Sequence, residues 1–201
     1  MSKALVVIDV QESFRQRPTW QAMGNPQIAE QVGRLVDAAR AAGDLVVWIL
    51  HSEPGSGTVF DPVLGHVRLI DGLVAREGEP QIVKTSVNAF TTTNLHQLLT
   101  QRQVDEVIIC GIRTEQCCET TARLASDLGY AVTFVTDATT TSPIPHPDAP
   151  ADQTVAEMLA DPRTLGAADI IERTERVLAA REFATIAATD DLSRPAGAVA
   201  R

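Results

Sequence analysis

Ala4-Leu5-Val6-Val7-Ile8-Asp9 is the stretch from which the fold is read. A short, unbroken apolar run rich in valine and isoleucine suits a strand covered on both faces. An acid ends it. Similar runs recur at residues 45–50, 81–83, 106–110, 131–136 and 169–171, with helical patterns between them. Strands that alternate with helices are the signature of an α/β fold with a parallel sheet.

The helical patterns are punctuated by their own signals. Asn25-Pro26 offers a cap and a first-turn proline; Ile28, Val32, Leu35, Val36 and Ala39 then form one stripe, and Gly43 can stop the helix. Thr114 can cap a second helix whose inner face is Cys118, Thr121 or Ala122, Ala125 and Leu128, with Gly129 as its stop. Further helices are expected after Asn94, over residues 151–160 and from near Thr174. Residues 52–79 form a long Gly- and Pro-rich connection, and such loops usually carry function. Residues 139–150 hold four prolines and read as a lid or wall beside the site. One domain is expected over residues 1–183. A tail over 184–201, small and polar, is expected to be disordered or docked on a neighbouring subunit.

Bulk composition excludes several classes. The 201 residues are 44% hydrophobic and 21% charged, an ordinary globular mixture. A net charge of -9 argues against general affinity for nucleic acid or an anionic membrane surface. No stretch approaches the roughly 20 apolar residues of a membrane span. The first run lacks a small-residue cleavage site, so it reads as a buried strand and the cytoplasm is the expected compartment. Cys110, Cys117 and Cys118 crowd one short segment, which rules out a disulfide framework, and no zinc spacing surrounds them. A catalytic thiol or inert buried cysteines remain.

Three reactive side chains fall at one edge. Asp9 ends the first strand, Lys84 ends the run at 81–83, and Cys117 follows the strand that closes at Cys110-Gly111. Ligands of open parallel sheets bind beyond the carboxyl ends of the strands. Cys117 also sits in the first turn of the helix begun near Thr114, where unpaired N–H groups favour a thiolate. Lys84 is expected to lower the thiol pKa further and Asp9 to accept its proton. Each residue also has a plainer reading: a packed cysteine, a turn-capping aspartate, a solvated lysine. Their convergence favours the chemical one.

The residues also resemble a family. Asp9-Val10-Gln11-Glu12-Ser13-Phe14 resembles the D-x-Q-x-x-F opening of isochorismatase-like hydrolases. Lys84-Thr85-Ser86-Val87-Asn88-Ala89-Phe90 is similar to their K-x-x-x-S-A-F segment. The stretch from Gly111 through Thr114, Cys117 and Thr121 to Arg123 matches their G-[VI]-x-T-[DE]-x-C-x-x-x-T-A-R block. The blocks come in the family's order, and the resemblance covers about residues 4–181.

That resemblance implies a three-layer α/β/α domain with a six-stranded parallel sheet in the order 3-2-1-4-5-6. It implies Cys117 as nucleophile, Asp9 as proton acceptor and later donor, and Lys84 as the charge that holds the thiolate. It also implies a cis peptide between Ile112 and Arg113, which aims the Arg113 and Cys117 backbone N–H groups into an oxyanion hole. Candidate substrate-binding residues are Gln11, Phe14, His51, Glu53 and Asn88, the last standing where a serine is common. His51 and Glu53 line the pocket or form a solvated strand-end pair.

Metal-dependent nicotinamidases of the family carry Asp-x-His where this chain has His51-Ser52-Glu53, so neither a metal nor any other cofactor is expected. A dinucleotide is disfavoured too, because Asp9-Val10-Gln11 stands where a glycine fingerprint would begin. Cys118 reads as a core residue, since adjacent helical positions point about 100° apart. The expected activity is hydrolysis of an amide-type C–N bond of a small molecule, a carboxamide, carbamoyl or ureido compound, or lactam, through a thioester. The rivals are hydrolysis of an isochorismate-like ether, which does not need Cys117, and a catalytically silent binding or scaffold role. A homodimer or homotetramer is expected.

Overall fold

The computed structural model describes residues 2–193. At its centre lie six strands: β1 (Ser2–Ile8), β2 (Leu45–His51), β3 (Gln81–Lys84), β4 (Val104–Ile112), β5 (Ala131–Thr140) and β6 (Thr185–Ala187). All neighbours are parallel, in the order β3-β2-β1-β4-β5-β6. The chain therefore starts in mid-sheet, builds outward to β3, then crosses back beside β1. That reversal leaves a crevice at the carboxyl ends of β1 and β4.

The helices are α1 (Glu12–Arg15), α2 (Ile28–Ala42), α3 (Leu95–Gln101), α4 (Glu119–Asp127), α5 (Val155–Ala160), α6 (Ala167–Ala180) and α7 (Thr189–Ser193). Side chains of β1 divide between two cores, as strand alternation requires. Ala4, Val6 and Ile8 pack with Leu95 and Leu99 of α3, Ala122 and Ala125 of α4 and Leu178 of α6. Leu5 and Val7 pack on the other face with Ile28, Val32, Leu35 and Val36 of α2. Burial on both faces explains why the strand carries no polar residue from Ala4 to Ile8, whereas its less buried start holds Ser2 and Lys3. No helix among the described residues is long and apolar enough to cross a membrane.

The sixth strand lies elsewhere than the sequence pattern suggests. Asp169, Ile170 and Ile171 belong to α6, whose buried residues Ala167, Ile170, Thr174 and Leu178 follow a helical period. That helix therefore starts well before Thr174. Its strand is Thr185–Ala187, a three-residue edge taken from the stretch expected to be a tail. Residues 188–193 also fold back, with Thr189 donating from its N–H and its hydroxyl to Asp137. The remainder of the expected tail, 194–201, lies outside the described residues.

Two smaller differences concern the segments near the site. Thr114 does not cap a helix; it opens a wide, π-type turn, Thr114–Cys118, that runs into α4. Such turns are frequent at functional sites. Of the expected inner face of α4, Cys118, Thr121, Ala122 and Ala125 are buried while Leu128 is exposed. Residues 139–150, expected as a lid or wall beside the site, line no part of the cavity at Asp9 and Cys117: β5 continues to Thr140, and Ile144 pairs with Leu165.

Candidate active site

Backbone geometry delivers the three reactive groups to one point. Asp9 follows β1 in the left-handed region, with φ of 52°. Aspartate is among the few side chains that tolerate it. Its N–H donates to the Ile49 carbonyl at 2.9 Å, which ties the turn to β2. Lys84 is the last residue of β3, in register with His51 of β2. Cys117 lies in the wide turn beyond β4. Gly111, just before it, has φ of 130°, and a Cβ there would stand 1.9 Å from the Ile8 carbonyl oxygen. Only glycine lets β4 pass so close to the end of β1. The next bond, between Ile112 and Arg113, is cis.

Lys84 is the hub. Its Nζ lies 2.8 Å from Asp9 Oδ2 and 3.4 Å from Cys117 Sγ, and it donates to the Ser86 carbonyl at 3.1 Å. Asp9 and Lys84 are both fully buried, and Cys117 is 6% exposed. Both Asp9 oxygens are buried without a directional hydrogen bond, so the Lys84 charge is their compensation. Burial raises the Asp9 carboxyl above the ordinary carboxylate value, and Lys84 opposes the shift.

The thiol does not behave as its helix-start position suggested. Burial, then the Asp9 charge, push Cys117 up to about 12, against the pull of Lys84. At rest Cys117 is therefore a thiol beside a carboxylate, not a free thiolate. Burial also pushes the Cys110 and Cys118 thiols upward. Each belongs to one of the two cores.

A cavity of about 160 Å³ opens onto Asp9 and Cys117. Of the residues proposed from sequence for substrate contact, Phe14, His51 and Glu53 line it. His51 Nδ1 faces Lys84 Nζ at 3.3 Å, and Nε2 faces Glu53 Oε1 at 3.3 Å. With the ammonium donating, Nδ1 accepts and the ring proton points to Glu53. The Thr58 hydroxyl donates to Glu53 at 2.8 Å and, ahead of His51, holds its carboxyl below the usual value.

Gln11 and Asn88 have other work. Gln11 accepts from the His51 N–H at 2.7 Å and donates to the His51 carbonyl at 3.0 Å. Its amide thus pins the turn after β1 to the end of β2. Asn88 Oδ1 accepts from the Phe90 and Thr91 N–H groups, so it caps a turn and is not part of the cavity wall.

The remaining wall comes from Arg17, Phe60, Val87, Arg113 and Gln116. Sequence pattern gave no sign of Arg17 or Phe60, which reach the site on irregular segments. Thr121 was a missed positioning residue, although its place in the third block marked it. Its hydroxyl donates to the Cys117 carbonyl at 2.6 Å and accepts from the Ala89 N–H at 3.1 Å. Among the described residues, no group of three His, Cys, Asp or Glu side chains is placed to hold a metal ion. A larger cavity of about 630 Å³, lined by Asn25, Asp137, Ile171 and Asp191 among others, contains none of the trio.

The model of the Isochorismatase domain matches residues 3–181. The chain belongs to the isochorismatase family. A probable inactive nicotinamidase of Arabidopsis thaliana is 35% identical over 156 residues, 68% of this chain and 79% of that protein. A streptothricin hydrolase of Streptomyces noursei is 35% identical over 144 residues, 71% of this chain and 56% of that protein. The crystal structure of an isochorismatase from Pseudomonas putida KT2440 matches with a TM-score of 0.80 at 31% identity, covering 94% of this chain and 89% of that one. The six-stranded parallel sheet is thus the isochorismatase-like α/β fold.

Proposed function

We propose that the chain is a cysteine-dependent amidohydrolase that cleaves a C–N bond of a small molecule through a thioester. The observation that carries this reading is the buried Lys84 ammonium, 2.8 Å from Asp9 and 3.4 Å from the Cys117 sulfur. An acid, a cation and a thiol joined this way have the parts of an activated nucleophile. Asp9 takes the thiol proton as Sγ bonds to the carbonyl carbon. The oxyanion rests on the Arg113 and Cys117 backbone N–H groups. Ammonia or an amine leaves with the proton from Asp9. Water, deprotonated by Asp9, then releases the acid and restores the thiol.

The similarity to a streptothricin hydrolase supports a hydrolytic reading. A second reading is a silent binding protein, favoured by the similarity to a probable inactive nicotinamidase. A panel of carboxamides, ureido acids and lactams, assayed for ammonia or amine release, separates the two. The expected result is turnover of at least one class, with a Cys117 acyl adduct trapped by acid quench and mass spectrometry. Turnover that survives Cys117→Ala overturns the thioester route.

A further inference from the structure

Two guanidinium groups line the cavity beside Cys117, those of Arg17 and Arg113. Arg17 Cζ lies 5.0 Å from the centre of the Phe60 ring, and Arg113 Cζ lies 5.7 Å from that of Phe14. The two rings meet edge to face at 5.0 Å. Each guanidinium is thus held against an aromatic face, a contact that leaves its N–H edge free for hydrogen bonds.

Among the described residues, neither guanidinium donates a hydrogen bond or joins an ion pair. Eight other arginines pair with carboxylates, Arg15, Arg34, Arg40, Arg68, Arg123, Arg163, Arg173 and Arg176. Among the described residues, the others without such a partner, Arg76, Arg102 and Arg181, are exposed, whereas Arg17 and Arg113 are half-buried.

The acids nearby do not answer them. Asp9 is paired with Lys84; Glu53 feels the Arg17 charge but makes no ion pair with it, its two oxygens facing Thr58 and His51. Glu115 favours the Arg113 charge but makes no ion pair with it. Burial and the Arg17 charge both oppose the Arg113 charge. Two cations that repel across a small cavity, in a chain of net charge -9, call for an anion between them.

We propose that Arg17 and Arg113 form an anion subsite beside Cys117, and that the substrate is a small amide bearing a carboxylate. The inference deepens the amidohydrolase reading and rests on it for the reaction, but not for binding. Guanidinium and carboxylate make paired, charge-assisted hydrogen bonds, each worth about 1.5–3 kcal/mol, which corresponds to roughly 10- to 150-fold in affinity.

The test uses three matched pairs: malonamate with propanamide, succinamate with butanamide, glutaramate with pentanamide. In each pair a methyl group replaces the carboxylate. Wild-type kcat/KM and calorimetric binding to Cys117→Ala are measured for all six. The carboxylate member of at least one pair is expected to bind at least about 10-fold tighter and to be turned over with the same preference. In Arg17→Met that preference falls towards unity, chiefly through KM, and Arg17→Lys restores part of it. Circular dichroism checks that the variants fold. If Cys117→Ala binds a carboxylate member selectively but wild type hydrolyses none of the six, the amidohydrolase reading loses support and the anion subsite stands. If wild type turns over the neutral members as well as the charged ones, the subsite is refuted and the hydrolase survives. Selective binding by none of the three carboxylates refutes the subsite.

Discussion

Replacing Lys84 by methionine keeps the stem of the side chain and removes only the charge. The consequence for stability can be worked from the site. Asp9 and Lys84 are both fully buried, 2.8 Å apart, and without Lys84 only the weakly donating Cys117 thiol stands beside the Asp9 carboxylate. At that distance and an effective dielectric of about 20, the attraction is about 6 kcal/mol. Removing one partner of a buried pair typically costs about 3–5 kcal/mol, because the other charge is left uncompensated. For a chain of this size each kcal/mol moves Tm by about 2–4 °C, so Lys84→Met should lower Tm by roughly 6–20 °C at pH 8. The deficit should shrink on acidification, since Asp9 escapes by taking a proton. It should also shrink in Asp9→Asn with Lys84→Met, which removes both charges. Thermal and guanidinium unfolding of wild type, both single variants and the double variant gives the coupling energy directly. A Lys84→Met protein as stable as wild type at pH 8, or a double variant no better than it, would refute the buried-pair argument. Activity of Lys84→Met should fall by at least about 100-fold, as no cation then compensates the negative charge shared between Asp9 and Cys117.

Three further outcomes are expected. Iodoacetamide should label Cys117 well ahead of Cys110 and Cys118, because Cys117 is 6% exposed and faces the cavity while the others are wholly buried; peptide mapping with equal labelling contradicts this. Arg40 and Trp48 hydrogen-bond to Glu79, and Arg40 above all holds its carboxyl down at about 2, against 4.5 ordinarily. That depressed value stabilises the fold above pH 4.5, and the contribution, about 3 kcal/mol at most, is lost as pH falls towards 2. Glu79→Gln should therefore show a flatter acid limb in unfolding free energy, and parallel curves would count against it. Turnover should survive exhaustive chelation, with well under one zinc, iron or manganese per chain by elemental analysis; a stoichiometric metal whose removal stops the reaction would overturn the reading of His51 and Glu53.

What the chain discloses in advance depends on whether a feature is periodic. Strands β1, β2, β4 and β5 announce themselves because two-sided burial demands unbroken apolar runs, and the edge strand β3 shows only through its short Ile82-Val83 pair. Strand β6 does not: Thr185-Ile186-Ala187 is a short edge with one large apolar side chain, while Asp169-Ile170-Ile171 imitates a strand inside α6. The trio was legible for the same reason as the sheet. Strand ends are found from pattern, and Asp9 and Lys84 stand directly at them. Arg17 and Phe60 obey no period. They meet because Gln11 bridges to Leu69, and the Glu12 and Ser13 N–H groups donate to Arg68 and His66, which folds residues 52–79 over the turn after β1. Such long-range loop pairing leaves no local trace. Asn88 misled for a related cause, since a side chain that caps its own turn looks in sequence like one free to meet a ligand.

The burial of the trio, which raises both the Asp9 carboxyl and the Cys117 thiol, bears directly on the proposed chemistry. A thiol held near 12 is a poor nucleophile in isolation. Yet the relevant step moves a proton from Cys117 to Asp9 within one desolvated cluster. Before it, the cluster holds a carboxylate, an ammonium and a thiol; after it, a carboxylic acid, an ammonium and a thiolate. The net charge is zero in both states, so burial penalises them about equally and largely cancels from the difference. Lys84 lies within 3.4 Å of the sulfur and 2.8 Å of the carboxylate, so one cation compensates whichever partner carries the charge. Under the thioester reading, the thiolate then exists only while an acyl group is there to receive it. Asp9, already protonated, stands ready to release the leaving amine. Titrating Cys117 alone would miss this coupling. The pair takes up and releases its protons as a unit, and the pH profile of kcat/KM should report the Asp9–Cys117 couple, not a free thiol.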